Sequence, residues 1–76
     1  MAIALNHPYR DEIEAAIGAI RESILDDREA RDRARDALAR AVFDAERDFW
    51  QEQIDYYNRM LRYQTYDLED LGGKLP

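Results

Sequence analysis

An all-α fold, a helical hairpin with a long second helix, is predicted by three features of the chain. Ile13, Ile17, Ile20 and Ile24 recur at steps of four, three and four, which places them in one stripe on a helix. From Arg28 to Leu71 no glycine or proline interrupts a segment rich in Ala, Arg, Glu, Leu and Met, residues of high intrinsic helix propensity. No strand-like alternation, internal repeat or low-complexity linker competes with that reading.

Each element has its own signals. Pro8 lacks a backbone N–H and suits the first turn of a helix, with Asn6 or His7 as the cap before it. Asp11, Glu12 and Glu14 follow where the helix dipole favours negative charge. Helix 1 is therefore expected over about 8–25. Asp26-Asp-Arg-Glu29 has the spacing of a capping box, and Asp is a better cap than interior residue, so a break is expected there. No Gly or Pro enforces it, and one continuous rod is the alternative. Helix 2 is expected over about 27–64. Tyr63 to Tyr66 mixes aromatic and β-branched residues and invites fraying, unless the helix runs on to Leu71 with Gly72 as its C-terminal cap. Residues 72–76 form a tail, and 1–76 make a single domain. Gly18, beside Ala15, Ala16 and Ala19, marks either a close helix contact or a tolerated exposed glycine.

Composition narrows the function classes. With 76 residues and no cysteine, neither a disulfide nor a thiolate metal site can staple the fold, which leaves regular helix packing or association with other chains. One histidine, His7, excludes a site needing two imidazoles. No apolar run approaches the roughly 20 residues of a membrane span, and Met1 to Leu5 is too short and uncharged for a signal peptide, so a cytoplasmic protein is expected. The net charge of −6 disfavours a bulk grip on nucleic acid phosphates.

A helix over 27–64 would be on the order of 57 Å long, whereas a compact globule of this length has a radius of gyration of about 11 Å. Helix 1 would then cover only the nearer half. Ala30, Ala34, Ala37, Leu38, Ala41 and Ala45 make that half small-sided, suited to accept the isoleucines of helix 1. The further half carries two neighbouring stripes: Phe49, Tyr56, Met60 and Tyr63 in one, Phe43, Trp50, Ile54, Tyr57 and Leu61 in the other. Together they exceed the width of a two-position seam and would make a large apolar patch if bare. They are expected to form a protein interface, most simply with a second copy in a dimeric bundle. Leu38, Phe49 and Met60 lie eleven apart, closer to a straight or slightly right-handed arrangement than to a strict heptad.

Other signals are weaker. Asp44, Asp48, Glu52 and Asp55 share a helix face, and the segment from Asp44 to Asp55 sums to −4. A solvated face is the plainest reading; an acidic partner face that imitates DNA phosphates is a sharper one, and a metal site lacks the Glu-x-x-His pair of di-metal bundles. The tyrosine- and arginine-rich run from Tyr56 to Tyr66 has the composition of a base-stacking platform, but its helical spacing and the overall acidity favour a protein interface. Glu29 with Arg33 and Asp36 with Arg40 read as ordinary ion-pair support. No phosphate loop, catalytic triad or cofactor fingerprint is present. The expectation is a non-catalytic, homodimeric adaptor or accessory protein without cofactor or small-molecule substrate; the alternative is a small obligate subunit or acidic, DNA-mimic-like inhibitor docking onto a larger protein.

Overall fold

The computed structural model describes residues 9–76, so the predicted cap at Asn6 or His7 and the start at Pro8 lie outside the described residues. Two helices, α1 (Arg10–Arg40) and α2 (Asp44–Asp70), fold back on each other as a hairpin, and no strand occurs among the described residues. Their lengths, 31 and 27 residues, are nearly matched.

The hairpin turns at Ala41-Val42-Phe43, not at Asp26. Asp26 and Asp27 lie inside α1, where an Asp costs up to about 0.7 kcal/mol of helix propensity relative to Ala. Asp27 offsets that cost across the fold: its Oδ2 accepts a 2.7 Å hydrogen bond from Gln64 Nε2 on α2. A bond to a charged group contributes about 1.5–3 kcal/mol, so the tertiary contact outweighs the local capping preference.

At the true turn, Ala41 (φ −66°, ψ 133°) and Phe43 (φ −94°, ψ 145°) are extended, a conformation that β-branched and aromatic residues such as Val42 and Phe43 favour. No side chain caps the start of α2; Asp44 and Glu46 in its first turn, and Arg40 in the last turn of α1, suit the helix dipoles instead. Arg47 ties the connection down, its Nε donating to the Ala41 carbonyl at 3.3 Å. At the far end α2 runs to Asp70, close to the longer of the two ends expected, with Gly72 after it and no fraying at Tyr63. It closes in a Schellman motif: Gly73 N–H donates to Leu68 O and Gly72 N–H to Glu69 O, both at 2.9 Å, with Gly72 at φ +79°.

The core is a single line of apolar residues between the helices: Ile24, Ala34 and Ala41 from the first half, Ile54 and Leu68 from the second. The Asp27–Gln64 bond fixes the antiparallel register. Counting from it in opposite directions puts Ala30 level with Leu61, Ala34 with Tyr57 and Ala37 with Ile54. Ala30, Ala34 and Ala37 therefore do not accept the isoleucines of helix 1, as the sequence suggested, because both sets belong to α1, while Ala41 lies in the connection and Ala45 is exposed on α2. The alanines of α1 accept the large residues of α2, while Ile24 meets the Leu68 end. Gly18 has open space around it and marks no close contact.

The molecule measures 60 × 14 × 14 Å, with a radius of gyration of 17.1 Å. Because α1 extends the full length of its companion, the premise that half of a long second helix lies beyond its own chain's cover does not hold.

Candidate protein interface

Folding at residue 41 separates the two aromatic stripes. Ile54 is buried at 6% exposure, and Trp50, Tyr57 and Leu61 are half-buried against α1. These four predicted interface residues belong to the intrachain seam. Phe43 belongs to neither stripe: it sits in the connection, exposed at 68% beside an exposed Val42.

The other stripe stays outside. Phe49 is 52% exposed, Tyr56 47% and Tyr63 61%, with Met60 half-buried among them. Phe49, Tyr56 and Tyr63 are seven residues apart, and Met60 stands four beyond Tyr56, the spacing of a coiled-coil seam with Gln53 at the remaining inner position. The eleven-residue series from Leu38 is not one seam, since Leu38 lies in α1 and Phe49 in α2.

Inward rings brace outward ones. Phe49 meets Trp50 edge to face, with centroids 4.9 Å apart and planes at 83°, and Tyr56 meets Tyr57 at 5.2 Å and 77°. Such pairs contribute about 0.5–1.5 kcal/mol beyond area burial. Two of the three exposed rings thus rest against half-buried rings of the neighbouring stripe.

Asp44, Asp48, Glu52 and Asp55 are all exposed on the side of α2 turned away from α1, bordering the ring stripe. Asp55 Oδ1 accepts a 3.0 Å hydrogen bond from Gln51 Nε2. Among the described residues no group of three His, Cys, Asp or Glu side chains is placed to hold a metal ion. On α1, Glu29 pairs with Arg33 as predicted, while Asp36 and Arg40 form no ion pair among the described residues. Asp32 instead lies 3.9 Å from Arg35.

Arg28, Arg31, Arg62 and Tyr66, none of which the sequence singled out as a group, line one groove between the helices. That juxtaposition depends on the position of the turn, and no local signal in the arginine run carries it.

No helix of the described residues is long and apolar enough to cross a membrane. No family model matches the chain, and neither a curated protein nor a solved structure does.

Proposed function

We propose that this chain is a non-catalytic helical interaction module that pairs with a second copy of itself through the Phe49, Met60, Tyr56 and Tyr63 stripe, two hairpins making a four-helix bundle. The observation that carries the reading is a braced, heptad-spaced row of rings left half bare on α2. Surface area supports it. The chain exposes 6007 Å², against about 4,900 Å² for a compact monomer of its mass. An interface of standard size covers about 800 Å² per partner and would remove most of that excess. A cytoplasmic adaptor or accessory role suits a cysteine-free chain of this kind. In the second reading the same stripe docks onto a larger protein, the acidic border of Asp44, Asp48, Glu52 and Asp55 meeting basic residues there.

Sedimentation equilibrium over a concentration series tests the pairing. The wild-type chain is expected to reach twice its monomer mass, and Tyr56→Glu with Tyr63→Glu to hold it at monomer mass with helicity retained. Trp50 and Tyr57 are the wrong positions for this test, because they pack against α1 and their loss would loosen the hairpin. A wild-type chain that stays monomeric and fully helical at the highest concentration overturns self-association and leaves the docking reading.

A further inference from the structure

On the flank opposite the ring stripe, α1 and α2 leave a groove of about 490 Å³. The two flanks are distinct because Tyr56 and Asn58, two residues apart, project about 200° from each other around α2. Arg28, Arg31 and Arg62 line the groove, and no acidic side chain does, a local inversion in a chain of net charge −6. The rest of the lining is mixed: Ile24, Leu61 and the Tyr66 ring supply apolar surface, and Asn58 and Thr65 polar groups.

The donors there outnumber the acceptors. Arg31 Nε is buried and has no hydrogen-bond partner. Asp32 Oδ1 lies 3.5 Å from it, near enough for attraction but without hydrogen-bond geometry, and is shared with Arg35. Arg62 makes no hydrogen bond or ion pair among the described residues, and its neighbours one turn away, Asn58, Arg59, Thr65 and Tyr66, carry no negative charge. Arg28 Nη1 donates to the Pro76 oxygen at 3.4 Å, a long contact. Thr65 is already occupied, donating to Leu61 O at 2.7 Å. Buried donors without acceptors are rare because water must be surrendered for nothing in return.

We propose that this groove binds a small organic anion, its carboxylate or phosphate monoester head between Arg28, Arg31 and Arg62 and its apolar body over Ile24 and Leu61 beside Tyr66. Forked guanidiniums suit planar and tetrahedral oxyanions alike. An extended polyanion is disfavoured: the groove is short, and the chain's seventeen acidic residues repel anything that overruns it.

Amide NMR titration of the full chain tests the site, with phenyl phosphate, benzoate and inorganic phosphate as probes. Saturable shifts are expected across 24–31 and 58–66 with phenyl phosphate or benzoate, and the organic probe of the preferred head group should bind about tenfold or more tightly than inorganic phosphate. Arg31→Gln and Arg62→Gln should each weaken binding about tenfold, with helicity by circular dichroism confirming the fold. Arg62, exposed at the helix surface, is the variant that leaves the core alone. The dimer-breaking Tyr56→Glu, Tyr63→Glu chain should bind as the wild type does, which keeps this result separate from self-association. Absence of shifts at millimolar probe, or equal affinity in the Arg62→Gln chain, overturns the site. Equal affinity for all three probes overturns the role of the apolar floor and with it the organic-anion assignment.

Discussion

Gly72 and Gly73 end α2 by different means. Gly72 holds φ +79° with nothing near the position of an added Cβ, so its requirement is conformational. Gly72→Ala should lower stability by about 1 kcal/mol, with Gly72→Asn recovering part of the loss, as urea midpoints will show. At Gly73 the requirement is space: a Cβ would stand 2.6 Å from Leu68 Cδ1 and 2.9 Å from Ile17 Cγ2. Leu68 is fully buried and has nowhere to retreat, so Gly73→Ala must lift the tail off both helices. Leu68 is also the residue whose truncation matters most. Leu68→Ala should cost about 2–5 kcal/mol, much of what a chain this small possesses, and circular dichroism at room temperature should find the variant largely unfolded.

At the scale of the helices, one side-chain contact sets how α1 and α2 slide against each other. Among the described residues the Asp27–Gln64 bond is the hydrogen bond that joins the two helices side chain to side chain. Asp27→Ala should cost about 1–3 kcal/mol by leaving Gln64 without its acceptor, measured as a drop in urea midpoint at unchanged m-value. The same bond explains what the sequence concealed. Helical periodicity made the all-α hairpin legible, and Gly72 pointed to one of the two ends considered for α2. The turn was not legible, because the local capping pattern of Asp26 and Asp27 is overridden by a partner of Asp27 37 positions away, while Val42-Phe43 gives only a weak extended preference without Gly or Pro. The candidate site inherits that limit. Spacing alone distinguishes the Phe49–Tyr56–Tyr63 stripe from the Trp50–Ile54–Tyr57–Leu61 stripe, but which one faces solvent depends on where the chain reverses. The arginine groove depends on it entirely.

For the molecule as a whole, the proposed pairing of hairpins would tie folding to association. A partner that binds only folded chains stabilises them by mass action, so the melting temperature should rise with protein concentration in the wild type and stay constant in the Tyr56→Glu, Tyr63→Glu chain. A concentration-independent melt of the wild type would count against a dimer that contributes to stability. The 14 Å thickness in two directions has a further consequence. Apolar surface withdrawn from water sets the heat-capacity change of unfolding, ordinarily about 12–15 cal/mol/K per residue. A hairpin with a single line of fully covered residues must fall short of that value. Its free-energy curve is correspondingly flat, so an isolated hairpin loses order gradually over a broad span of heat and resists cold better than a rounder protein of equal length.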